Sequence, residues 1–116
     1  MRMMLSAAVA ALAIAVAAAA PAGASYHTCR IGDQTSYGPT YVTKISASGV
    51  SCTTARRVVR AFHRCRRANG VAGRCRHRVL RFRCSETRGY GHGQFSSKVI
   101  CRHGLARVRH TYTQFT

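Results

Sequence analysis

Acidic side chains are nearly missing from this chain: against 19 lysines and arginines it has two, Asp33 and Glu86, and its formal net charge is +17. Mechanisms that need a pair of carboxylates have little material here. Long apolar runs are scarce as well. The one candidate, Leu5 to Ala20, is alanine-rich and sixteen residues long, short of the roughly 20 that a spanning helix needs. The chain also lacks a nucleophile elbow, a phosphate-cradling glycine loop, a paired catalytic motif and any internal repeat. These absences favour a small, non-catalytic domain that uses neither cofactor nor metal.

The apolar run reads as a leader instead. Arg2 supplies a positive start, Leu5 to Ala20 the apolar stretch, and Ala22-Gly23-Ala24 a small-x-small cleavage site. Cleavage is expected after Ala24, with Ala20 as the alternative point, so residues 1–24 are a signal peptide and 25–116 one secreted domain without a membrane anchor. A domain of about 90 residues buries too little surface for a secure core without staples. Six cysteines, an even number in an exported chain, supply them as three disulfides in an oxidising, extracellular space.

Periodicity divides the domain into elements. Tyr26 to Ile31 reads as a short strand, and Gly32, Gly38 and Pro39 break the chain after it. Tyr41 to Ala47 is a second strand in which Tyr41, Thr43 and Ile45 alternate with Val42 and Lys44. A helix follows, with Ser51 as N-cap and Asn69-Gly70 as its stop. Cys52, Ala55, Val59, Phe62 and Cys65 form its buried stripe, and Arg56, Arg57, Arg60, Arg64 and Arg67 its outer side. Val79 to Thr87 reads as a strand with Leu80, Phe82 and Cys84 inward and Arg81 and Arg83 outward. The shared parity of Arg76 and Arg78 with Leu80 requires a start near Val79 or a bulge there. Residues 89–93 form a flexible hairpin loop. Phe95, Val99 and Cys101 face inward on the next strand, with Lys98 and Arg102 outward. Leu105 to Tyr112 closes the sheet, with Ala106 and Val108 inward and Arg107 and Arg109 outward. The expected fold is α+β: one amphipathic helix on a small, mostly antiparallel sheet, in the order β-β-α-β-β-β, with positive charge on both faces.

Cys65 at the helix end and Cys75 in the following loop close a short ring and are expected to pair. The other four cysteines fall on inward faces, which leaves three pairings open. Cys52 with Cys101 and Cys29 with Cys84 is the preferred set. A metal site competes with this, because His63-x-Cys65, Cys75-x-His77 and Cys101-x-His103 recur, but a one-residue spacer points the two side chains apart. A ribonuclease-like enzyme is the alternative function, with Glu86, His92 and His103 for proton transfer and Arg81, Arg83 or Arg102 to hold phosphate. Glu86 and His92 flank one hairpin, which would place them near each other. A third reading is an inhibitor or other protein-binding module that projects the Tyr90/His92 loop.

Between Arg56 and Arg83 stand eleven arginines and no acid, more positive charge than solubility requires. Arginine forks match phosphate and carboxylate oxygens in pairs. The leading expectation is therefore a secreted, monomeric domain that binds an anionic partner, whether wall polymer, anionic lipid or nucleic acid. Arg56, Arg60, Arg64 and Arg67 on the helix, with Arg81 and Arg83 on the strand, are the expected binding residues. Tyr90, His92 and Phe95 near the hairpin are candidates for stacking on single-stranded nucleic acid.

Gly49-Val50-Ser51-Cys52-x-x-Ala55-Arg56 at a helix start, Phe82-Arg83-Cys84 on one strand and Val99-Ile100-Cys101-Arg102 on the next, with Val108 closing the sheet, resemble small exported domains of actinobacterial type, mostly uncharacterised. The similarity runs from about Cys29 to Val108. It implies an extracellular single domain with cysteines at the places of Cys29, Cys52, Cys84 and Cys101, and it carries no activity. Cys65 and Cys75 stand outside that pattern, which agrees with pairing them with each other.

Overall fold

In a computed structural model, which describes residues 8–14 and 25–116, the first regular element is strand β1, His27–Cys29. The expected cleavage points at Ala20 and Ala24 lie outside the described residues. A short 3-10 turn at Gln34–Tyr37 follows, with Asp33 capping it by accepting the Thr35 backbone N–H. Then come β2 (Thr40–Ser48), helix α1 (Cys52–Arg67), β3 (Arg83–Gly91), β4 (Gln94–His103) and β5 (Ala106–Phe115). The strands form one sheet in the order β1-β2-β5-β4-β3, with antiparallel neighbours throughout. This is the expected α+β architecture.

Helix α1 begins where the sequence directs it. The Ser51 hydroxyl accepts the Thr54 backbone N–H at 3.1 Å, satisfying a donor that the first turn leaves free. At the other end, Gly70 adopts a φ of 104°, which a residue with a Cβ resists. The helix lies on the inner face of β2 and β5, and its buried side is wider than the expected stripe. Val58, His63 and Arg66 join Ala55, Val59, Phe62 and Cys65 there. Ile45, Ala47, Val99, Cys101, Val108 and Tyr112 complete the core from the sheet.

Three local expectations need correction. In β2 a bulge between Val42 and Lys44 breaks the simple alternation, so Val42 and Ile45 both point inward. Residues 79–82 are a tight turn rather than the start of a strand. Val79 and Phe82 exchange backbone hydrogen bonds, while Leu80 and Arg81 take φ values of 47° and 72°. Leu80 is consequently exposed instead of buried, and β3 begins only at Arg83. This turn resolves the parity conflict with Arg76 and Arg78. At residues 89–93 the strands continue almost to the tip, with Gly91 opposite Gln94 and only His92 and Gly93 turning the chain.

Cys65 joins Cys75 as expected, but Cys29 joins Cys52 and Cys84 joins Cys101. The preferred pairing of Cys29 with Cys84 and Cys52 with Cys101 fails because of strand order. β1 and β3 are opposite edges of the sheet, four strand spacings or about 19 Å apart, beyond the reach of a disulfide. Register instead sets Cys84 directly opposite Cys101. Cys29 ends the edge strand beside β2, within reach of the start of the helix that β2 leads into.

Candidate polyanion-binding surfaces

The expected arginines do not form one patch. Arg64 is exposed on α1, whereas Arg56, Arg60 and Arg67 are half-buried. Arg56 donates to the Arg30 carbonyl, and Arg67 donates to the His63 carbonyl while its guanidinium packs on Gly38. Arg57, Arg60 and Arg64 border a hollow of about 200 Å³ that Leu80 closes from the other side. Arg81 follows Leu80 in the same turn and is exposed. Arg83, in contrast, lies on the outer face of the sheet.

That outer face carries cations in register. The expected inward residues Val99, Cys101 and Val108 are buried, which places Lys98, Arg102, Arg107 and Arg109 outside. Pairing aligns Arg83, Arg102 and Arg107 in one row across three adjacent strands. Two positions along, Arg109 lies beside Ser46 and Ile100; two further, Thr111 lies between Lys44 and Lys98. Like charges directly opposed on a sheet destabilise it. No acidic side chain stands on this face to relieve them.

Both acids are engaged elsewhere. Asp33 caps its own turn, which holds its carboxyl below the usual range. Glu86 points inward, its side chain 6% exposed, and accepts hydrogen bonds from Arg88 (2.8 Å), Ser97 (2.7 Å) and Tyr112 (2.5 Å). Burial pushes the Glu86 carboxyl up, but those three donors and the Arg88 charge more than offset it, so it stays ionised below the ordinary carboxylate range. Burial and the bond to Glu86 push the Tyr112 hydroxyl up to about 12. Arg88 also donates to the carbonyls of Ala72 and Gly73, pinning the long loop to the sheet.

A second buried polar group lies under the helix, and sequence reasoning missed it. Arg66 is 0% exposed and donates to His63 Nδ1, the Val71 carbonyl, Thr40 Oγ1 and Gln114 Oε1. Its guanidinium also lies 4.5 Å from the Tyr112 ring. Because His63 Nδ1 accepts, its proton sits on Nε2 and is donated to His110 Nε2 at 3.0 Å. His110 keeps its own proton on Nδ1, which is buried without a partner among the described residues. Burial is the main cause that keeps both imidazoles neutral; Arg66 pushes the same way at both, while Glu86 opposes it at His110. His63 falls well below its ordinary value and His110 falls to about 3. Spacing carried a signal for this cluster: Arg66 is four residues from Phe62, and His63 four from Val59, on the buried stripe.

The residues proposed for proton transfer are separated. Glu86 is inside, while His92 is exposed at the hairpin tip, six residues or about 20 Å along β3. His103 packs beside Phe82 at the opposite end of the sheet. Two cysteine/histidine groups are close enough for metal binding, His27 with Cys29 and Cys52, and Cys65 with Cys75 and His77. Their sulfurs are committed to disulfides and are not thiolates. Among the described residues no helix is long and apolar enough to cross a membrane. No family model, curated protein or solved structure matches the chain.

Proposed function

We propose that the domain is a secreted, non-catalytic module that binds an anionic polymer through its arginine surface. One observation carries this reading: among the described residues only Arg74 and Arg88 reach a carboxylate, and both reach Glu86, so the remaining surface cations have no acid to neutralise them. Arg57, Arg60 and Arg64 are the helical binding residues, with Arg56 and Arg81 at the margins. Binding of this kind releases counterions and so weakens linearly in log affinity against log salt. Titration of fluorescent heparin at 20–300 mM NaCl tests it. Replacing Arg57, Arg60 and Arg64 with alanine should lower the slope by about one for each arginine that pairs with an anionic group of the polymer. Absent binding at 20 mM salt, or affinity that does not change with salt, would sink the proposal.

A protein-binding role for the hairpin has one observation in its favour: Tyr90, 72% exposed, and His92 stand at the end of a two-residue turn. Capture of a single protein at 500 mM NaCl, abolished in Tyr90→Ala, would favour it over the polymer reading.

A further inference from the structure

We infer that the outer face of the sheet is a track for single-stranded nucleic acid, with phosphates on its cationic rows and bases on an aromatic pair at one end. The inference rests on the polyanion reading for its electrostatics but concerns the face opposite the helix. Rows of outward side chains repeat every two residues, about 7 Å along a strand. From the β4–β5 turn they run Arg83/Arg102/Arg107, then Arg109, then Lys44/Lys98. A single phosphodiester chain extended along the strands meets positive charge at each of these steps. The Arg109 guanidinium carbon lies over the Tyr26 ring, 3.9 Å from its centroid, which holds the cation in place on the face. Two shallow hollows of about 360 and 520 Å³ lie next to each other on this face, with Lys98 and Thr111 lining both.

Beyond Lys98 the character of the face changes. Thr43 meets Thr111 and Ser96 meets Thr113 in hydroxyl pairs, and register places Tyr41 beside Thr113 and Phe115 opposite Gln94 at the end of the same outward rows. These two rings touch edge to face at 5.7 Å, and they remain 58% and 54% exposed. Charge alone would suit any anionic polymer; exposed aromatic rings in line with a cationic track fit a polymer that carries flat bases. A poly(glycerol phosphate) chain supplies the same phosphodiester repeat without them.

A ten-nucleotide oligo(dT), the same chain with abasic sites, and poly(glycerol phosphate) separate these features, measured by anisotropy or competition at 100 mM NaCl. Oligo(dT) is expected to bind at least five-fold more tightly than the abasic chain. Tyr41→Ala with Phe115→Ala should abolish that preference, as removal of one stacked base costs about 5- to 150-fold. Lys98→Ala with Arg102→Ala should weaken oligo(dT) more than Arg57→Ala with Arg64→Ala does. All three pairs change exposed side chains, and a cooperative thermal transition with an unchanged circular dichroism spectrum confirms folding. Equal binding of oligo(dT), the abasic chain and poly(glycerol phosphate) overturns the nucleic-acid track, as does a greater weakening from the helix pair. Heparin binding that survives in that case leaves the polyanion module standing, whereas failure of both removes the two readings together.

Discussion

Glu86 and Arg88 are two residues apart on β3, and both side chains are turned into the protein, 6% and 2% exposed. An ion pair so placed gains little over an apolar pair, but breaking it leaves a buried charge alone. Glu86→Gln should therefore cost about 3 kcal/mol in urea unfolding, with Glu86→Ala no milder. A cost below about 1 kcal/mol would mean that water reaches Arg88. The histidines make a separate prediction with a definite sign. His63 and His110 are held neutral in the fold, with pKa values below that of an unfolded histidine. As pH falls below about 6.5 the unfolded chain takes up protons that the folded chain refuses, so stability declines toward the folded value of about 3 for His110. Glu86, whose folded value is depressed, adds to the decline as pH falls through the carboxylate range. Unfolding free energies from urea titrations at pH 7, 5.5 and 4 should fall by up to about 1.4 kcal/mol per pH unit for each histidine. A flat profile would contradict neutral, buried imidazoles. Neither cluster was read from the sequence, because Arg66 sits in a run of arginines that looks solvated and Glu86 looks like a surface partner. Period outweighs residue type in both cases: strand alternation with Cys84 puts Glu86 and Arg88 inside, as helical spacing does Arg66.

Among the elements, the helix was the most legible, since capping, stop signal and apolar spacing agree on Cys52–Arg67. The strands were legible as inward and outward sets but not in their ends. Nothing in Val79-Leu80-Arg81-Phe82 advertises a turn, because the two central residues are not the glycine or asparagine that positive φ favours. Cysteine pairing was unreadable for a different reason, namely that strand order is a long-range property. The turn supports a stability prediction. Each L-residue in the left-handed region costs about 1 kcal/mol, so Leu80→Asn with Arg81→Gly should raise stability by about 1 kcal/mol. That is roughly 4–8 °C in melting temperature for a domain of this size. Leu80 is exposed, and replacing it removes little buried surface. A lower melting temperature would show that Leu80 contributes packing against Ala61 and the Arg64 stem across its hollow.

At the scale of the whole molecule, salt acts in two opposed directions. Leaving out Arg2, the other eighteen of the chain's nineteen cations, set against two acids, repel one another in the folded state more than in the expanded chain. Raising NaCl from 20 to 200 mM shortens the screening length from about 20 Å to about 7 Å, which is less than the spacing between the sheet's outer face and the helix. Repulsion across the core then fades, and the melting temperature of the free protein should rise. A bound polyanion relieves the same repulsion by direct pairing, so a saturating short heparin fragment should raise the melting temperature most at 20 mM NaCl. The increment should shrink as salt is added, because the affinity that produces it is falling. Scanning calorimetry with and without the fragment, at three salt concentrations, gives two curves that converge from below and above. Curves that run parallel would place the stabilisation in interactions other than charge, and a free-protein curve that falls with salt would mean the arginine rows are not in net repulsion.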